Sequence, residues 1–286
     1  MLVITWQGHA EQFLEAGLRI GLSHWISEPV YVSSQAGLHT GLQLSYTYIS
    51  PRVIGVRTGL TLDRHQAGFG KHDYEDAYST IDVDGQQMDI AYTIGNLRER
   101  HTIGSVSVPL QLVFDFRPFY WSFGPRVSFP FMARWKQTAE QASLSVYYSD
   151  YDTRVEESYQ LAASRSFKQV ADGSLVLPAV HWWVGTELAY SLSLGRLSPR
   201  WNSYLMVGLY FDYCFTGITP AHSTAESLMM LTDTRNGFPL QRIMTPVTEA
   251  NRQGQKMVKH YSMMDVGIKL SYTLSPISHN RACKCL

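Results

Sequence analysis

Ten histidines and three cysteines are the residues of this 286-residue chain best able to bind metal or carry nucleophilic chemistry. Their spacing along the chain argues for neither. No H-E-x-x-H pair places two imidazoles on one helical face, and Cys214, Cys283 and Cys285 offer no C-x-x-C geometry. Cys283 and Cys285 stand as C-x-C, too close for a relaxed bridge, and three thiols cannot build a disulfide framework. Asp82-Val83-Asp84-Gly85 resembles the opening of a calcium loop but lacks the bidentate acid at the twelfth position, so it reads as a hairpin turn. Neither G-x-S-x-G nor a phosphate-cradling glycine loop occurs. His181, Ser191, His222 and Ser223 are the groups that an acyl-transfer enzyme at a barrel rim could use, and no spacing links them. The expectation is a protein without catalytic residues, cofactor or metal.

Composition moves the question from chemistry to architecture. Lys and Arg number 24 against 24 Asp and Glu, and 17% of residues are charged, so no field exists to gather nucleic acid. No stretch approaches the roughly 18 to 20 apolar residues of a spanning helix. Aromatic residues make up 13%, with 17 Tyr and 7 Trp beside 21 Gly, a balance that favours strands.

Eight segments alternate with period 2, the signature of a strand with one apolar face. They are Leu14–Ser23, Leu38–Tyr48, Ile54–Asp63, Ser105–Phe116, Phe119–Phe131, Val180–Leu194, Tyr204–Tyr213 and Met263–Leu274. The connections at Ser50-Pro51, Arg117-Pro118 and Gly195 to Arg200 are short turns. Those at Trp25–Ala36, Arg64–Gly104, Met132–Leu177 and Cys214–Lys259 are long, and Arg64–Gly104 is expected to hold a further hairpin turning at Asp82-Val83-Asp84-Gly85. Short turns at one rim and long loops at the other describe an all-β, up-and-down antiparallel transmembrane β-barrel of eight principal strands.

The faces decide between this and a soluble ligand-binding barrel. The apolar series carries almost no charge, whereas the other is rich in Gly and Ser with Glu15, Arg19, Arg57, Asp63, Asp115, Arg126, Glu187, Asp212, Asp265 and Lys269. Small and charged residues make a poor solvent face but fill a narrow eight-stranded interior. Glu15, Arg19, Arg57, Asp115, Arg126, Glu187, Asp212, Asp265 and Lys269 are therefore expected to form a charge network in the lumen that plugs rather than conducts. Tyr46, Tyr48, Phe114, Phe116, Phe119, Trp121, Tyr190, Tyr213 and Tyr272 lie toward strand ends, where aromatic girdles belong.

Several short runs resemble the outer-membrane β-barrel proteins of the Bacteroidota type, small barrels near the OmpA-like and porin-family domains. They are Gly55-Val56-Arg57-Thr58-Gly59-Leu60, Val106-Ser107-Val108-Pro109-Leu110-Gln111-Leu112, Phe119-Tyr120, Tyr147-Tyr148, Tyr210-Phe211-Asp212-Tyr213 and Gly267-Ile268-Lys269-Leu270. The likeness runs from about Gly41 to Leu274 and implies a barrel in the bacterial outer membrane with no assigned activity. Two departures are an incomplete signal sequence and the twelve residues after Leu274.

The organisation expected is a signal-peptide remnant over 1–10, a barrel domain over 11–275 and a tail over 276–286. Function is expected in the long loops. Tyr147, Tyr148, Tyr151 and Tyr159 stand among Asp150, Asp152, Glu156 and Glu157, an aromatic and acidic surface suited to an envelope protein or glycan. The expected role is envelope structure or surface interaction amid outer-membrane lipid, the alternatives being a barrel component of a secretion or assembly machine and, third, a lipid-modifying enzyme.

Overall fold

The computed structural model describes residues 11–26, 32–50, 53–81, 84–139, 141–148, 152–157, 169–175, 177–198, 200–218 and 261–276. Eleven strands are present among them: β1 (Glu11–Trp25), β2 (Ser33–Ile49), β3 (Ile54–Ile81), β4 (Gln87–Phe116), β5 (Phe119–Ala139), β6 (Gln141–Tyr148), β7 (Thr153–Glu157), β8 (Gln169–Ser174), β9 (His181–Ser198), β10 (Trp201–Ile218) and β11 (Tyr261–Pro276). Strands β1 to β5 and β9 to β11 pair antiparallel with their neighbours, and β11 returns to β1 in register from Leu14↔Leu274 to Trp25↔Met263. The eight-stranded ring is closed. Closure removes every sheet edge at that level, the condition for strands to cross hydrocarbon.

Alternation sets which face is which. Leu18, Leu42, Leu60, Leu110, Leu188, Leu209 and Ile268 point outward and are 41 to 63% exposed, while Arg57, Gln111, Glu187 and Lys269 on the same strands are 1 to 9% exposed. In water so continuous an apolar belt would be a strong aggregation site, since monomers rarely expose more than a few hundred Å² in one patch. Against lipid it carries no penalty. The polarity is inverted relative to a soluble barrel, and the fold is a transmembrane β-barrel.

The three short turns lie at one rim. Ser50 N–H donates to the Ile54 carbonyl at 2.9 Å, Arg117 and Pro118 join β4 to β5, and β9 runs to Ser198 with β10 beginning at Trp201. The third turn is tighter than the expected Gly195–Arg200 connection. Gly195, at φ 90°, instead sits inside β9 where the β9–β10 register shifts between Ser203↔Gly195 and Tyr204↔Ser193.

The other rim is built higher than the alternation indicates. β3 and β4 stay paired from Ile54↔Phe114 to Ile81↔Gln87, a hairpin of 28 and 30 residues whose turn includes Gly85 at φ 82°. The stretch Arg64–Gly104, expected as a loop with a further hairpin, is thus the continuation of two barrel strands. β6 extends the line of β5 along β4, β7 adds to β6, and β8 pairs with the upper part of β5. Along β3 the buried positions change from odd to even numbers between Phe69 and Tyr74, and along β4 between Leu97 and Ile94. Pairing is unchanged on either side, with Gly70↔Arg98 and Tyr74↔Ile94, and Asn96 lies at the switch with φ 52°.

Candidate functional site

The lumen holds two neutral quartets of charge. Nearer the short turns, Lys269 Nζ lies 2.5 Å from Glu15 Oε1 and 2.9 Å from Glu187 Oε1, and Arg57 reaches Glu187 at 3.0 Å and Glu15 at 3.5 Å. Nearer the long loops, Arg19 pairs with Asp212 and with Asp63 at 3.5 Å, and Arg126 with Asp212 at 3.2 Å and Asp63 at 3.5 Å. All eight side chains are at most 7% exposed. Each quartet sums to zero charge, which is what a buried ionic cluster requires. Room for it comes from missing side chains: a Cβ on Gly41 would stand 2.3 Å from Asp63 Oδ1, and one on Gly185 would stand 2.2 Å from Asp212 Oδ1.

Seven of the nine charges expected in the lumen meet within these quartets, joined by Asp63. Asp63 stands in the same inward series, two strands from Arg19. Asp115 and Asp265 are buried in the lumen but go elsewhere. Asp115 lies at the short-turn end, where its partner is Arg117 of the adjacent turn at 2.9 Å, and Arg117 in turn pairs with Glu11. Asp265 meets histidines: His65 Nδ1 lies 2.9 Å from its Oδ2 and His39 Nε2 lies 3.9 Å away. The two rings stack with centroids 4.9 Å apart, because His39 and His65 are directly paired across β2 and β3.

Apolar groups cap the polar column at both ends. Phe13, Ile49, Val113 and Tyr120 cluster at the short-turn end, and Trp25, Phe69, Trp183 and Tyr261 at the other. Trp25 donates its indole N–H to His101 at 3.1 Å, and His101 Nε2 lies 2.6 Å from Glu99. Arg19 lies over the Tyr210 ring and Arg126 over the Trp183 ring, at 4.0 and 4.9 Å. Among the described residues the lumen cavities measure about 10 Å³ each, space for about one water.

The outer face changes character where the apolar belt ends. Above Leu62, Val106 and Phe131 the exposed positions become Arg64, Arg98, Arg100, Arg134 and Lys136. Arg100 pairs with Lys136 across β4 and β5, and a groove of about 590 Å³ is lined there by Arg98, Arg100, Lys136, Gln35 and Gln66. Higher still, on the opposite, buried face, Tyr74 and Tyr92 pack into the upper apolar cluster and donate their hydroxyls to Asp76 at 3.1 and 2.9 Å. Of the expected loop surface, Tyr147 and Tyr148 close β6: Tyr147 donates to Asp152 at 2.9 Å, and the half-buried Tyr148 packs against the upper apolar cluster. Tyr151 and Tyr159 lie outside the described residues. Short-turn aromatics Tyr46, Tyr48, Phe116, Phe119, Trp121, Tyr190 and Tyr272 are exposed outward at 38 to 58%. Phe129, Phe131, Trp182 and Phe215 form the matching girdle at the other end.

No protein-family model matches the chain, and no curated protein matches it. Among solved structures it is similar to Ail, the attachment invasion locus protein of Yersinia pestis, at 11% identity over 94% of this chain and 99% of that one, with a TM-score of 0.30. The same protein in complex with the heparin analogue sucrose octasulfate aligns at 10% identity over the same shares, with a TM-score of 0.27. Neisserial surface protein A aligns at 10% identity over 91% of this chain and 95% of that one, with a TM-score of 0.26. At such values the barrel assignment rests on strand register and inverted polarity.

Proposed function

We propose that the protein is a non-enzymatic, non-conducting barrel of the bacterial outer membrane whose long-loop end is a surface-interaction platform. The observation that carries this reading is the contrast between the two ends of one closed ring. Its membrane-spanning part is filled by neutral ion clusters and apolar caps, while at the long-loop rim β3, β4, β5 and β6 continue as a tall paired sheet. Cost is invested where contact is made. A channel would need an open lumen, and a bare anchor would have no use for strands of 28 and 30 residues.

Two partners follow from chemistry. Outer-membrane lipid meets the Leu-rich belt and, at its upper edge, the cations Arg98, Arg100 and Lys136, which suit anionic headgroups. An envelope protein or glycan meets the projecting sheet and the partly exposed Tyr147 at its edge. The finer assignment to the Bacteroidota-type small barrels belongs to this proposal and is supported by the short motifs along the strands. The test combines two measurements on the full chain reconstituted in lipid. Absence of stable conductance in planar bilayers, with retention of an envelope protein or glycan that is lost when residues 72–96 are replaced by a short turn, supports the reading. Large stable channels overturn it.

A further inference from the structure

In the stretch of lumen that holds the two quartets and the His39–His65 pair, five carboxylates, Glu15, Asp63, Glu187, Asp212 and Asp265, share four permanent cations, Arg19, Arg57, Arg126 and Lys269. The unmatched one is Asp265, which makes no ion pair with Arg or Lys among the described residues and faces His39 and His65 instead. An isolated carboxylate that is 0% exposed is costly unless a cation joins it.

We propose that Asp265, His39 and His65 bind one divalent transition-metal ion of the zinc class. Their ligand atoms, one from each residue, lie within 4.8 Å of one another, on side chains that are 0 to 2% exposed. A tetrahedral site with bonds of about 2.0 to 2.2 Å holds its donors about 3.3 to 3.6 Å apart. The two separations to Asp265, 2.9 and 3.9 Å, lie on either side of that spacing, and the two imidazole nitrogens, within 4.8 Å of each other, would draw together on the ion. Asp265 Oδ2, His39 Nε2 and His65 Nδ1 are buried and turned toward one another, His65 within 2.9 Å of Asp265, and none has a hydrogen-bond partner outside this group of acids and imidazoles. Such an arrangement offers three lone pairs to one ion.

The far atom of each residue is held by a hydroxyl. His39 Nδ1 lies 2.5 Å from Tyr210 OH, His65 Nε2 lies 3.4 Å from Ser105 Oγ, and Ser23 donates to Asp265 Oδ1 at 2.5 Å. The Tyr210 and Ser105 oxygens can accept the far N–H of each ring, leaving a lone pair on the near nitrogen, the tautomer a metal needs. Two imidazoles and a carboxylate are borderline donors that favour zinc over calcium or magnesium. His39 Nε2 also lies 3.3 Å from Asp63 Oδ1, the protein oxygen nearest a fourth position. The ligands stand on β2, β3 and β11, so the ion would clip the lumen across strands that do not all neighbour one another.

The test uses the tag-free full chain refolded into vesicles with zinc sulfate, then freed of loose metal on a desalting column. Folding is read from the gel shift between unboiled and boiled protein, and bound zinc from mass spectrometry. The wild type and the exposed-site control His72→Ala should retain one zinc per chain, and His65→Ala and Asp265→Asn less than about a fifth of that. Folded wild type without zinc, or folded variants that keep it, overturns the proposal. Should the variants not fold, X-ray absorption of the wild type decides. A shell of nitrogen and oxygen with imidazole scattering supports the site, whereas sulfur ligation or an all-oxygen shell overturns it.

Discussion

Replacing Lys269 by methionine keeps an unbranched side chain only one heavy atom shorter and removes one charge from the lower quartet. Lys269 touches both carboxylates, at 2.5 Å from Glu15 and 2.9 Å from Glu187, and is itself 1% exposed. Two unit charges about 3 Å apart attract by about 5 kcal/mol at an effective dielectric of 20, so losing two such contacts exceeds the local gain from no longer desolvating the ammonium. Arg57 then serves two acids alone, and the quartet changes from zero to one net negative charge. Breaking a buried cluster in this way costs about 3 to 5 kcal/mol. Lys269→Met combined with Glu187→Gln restores neutrality and leaves Arg57 facing Glu15, so the double variant should recover to within about 2 kcal/mol of the wild type. Urea unfolding in lipid vesicles, followed by tryptophan fluorescence and checked by gel mobility, measures all members of the cycle. A single variant within about 1 kcal/mol of the wild type, or a double variant worse than the single, would refute the quartet as the organiser of the lumen.

On the outer face, Leu110→Arg and Ile268→Arg should each cost about 2 to 4 kcal/mol near the midplane, against less than about 1 kcal/mol for Gln111→Ser, read from folding yield into vesicles. Gly41→Val pushes a side chain into Asp63 and should cost about 2 to 4 kcal/mol in the same urea titration, whereas Gly85→Ala, strained only by its φ of 82°, should cost about 1 kcal/mol. Charge reversal at Arg98, Arg100 and Lys136 together should weaken association with anionic lipid, measured as the loss of preference for anionic over zwitterionic vesicles during insertion, while leaving the barrel folded. An unchanged preference would remove these cations from the lipid contact.

Eight strands were legible because lipid outside and charge inside give every residue of a strand one of two unlike environments. Alternation marks β1, β9 and β11 almost to their ends for that reason. It gives out above Asp63 and Ser105, where the outside becomes polar and Arg98 and Arg100 stand where leucines stood lower down. The phase also breaks there: Met88, Ile90, Tyr92 and Ile94 are buried on even positions, and Leu97, Glu99, His101 and Ile103 on odd ones. A reader of single-phase alternation sees two fragments where the fold has one strand of 30 residues. The charged lumen was legible as a set, because inward parity is a local property. Who pairs with whom was not, since Arg19 and Asp212 lie 193 residues apart and meet only through ring closure and stagger. The His39, His65 and Asp265 cluster was hidden for the same reason. Local motif spacing cannot find three ligands that come from three strands, and His65 stands just beyond the last alternating residue of its segment.

The central claim is that this chain turns its leucines to lipid and its charges inward, and residue-by-residue accessibility tests it most directly. With Cys214, Cys283 and Cys285 replaced by alanine, single cysteines at Leu110, Leu188, Ile268, Gln111 and Ser107 are assayed in the folded, vesicle-inserted protein. A fluorophore attached before folding at Leu110, Leu188 and Ile268 should be quenched strongly by brominated lipid. Cysteines at Gln111 and Ser107, both inward and at most 9% exposed, should resist a water-soluble thiol reagent until urea unfolds the barrel. Unquenched labels at the leucine positions, or rapid modification at Gln111 and Ser107 in the folded state, would contradict the inverted, sealed barrel.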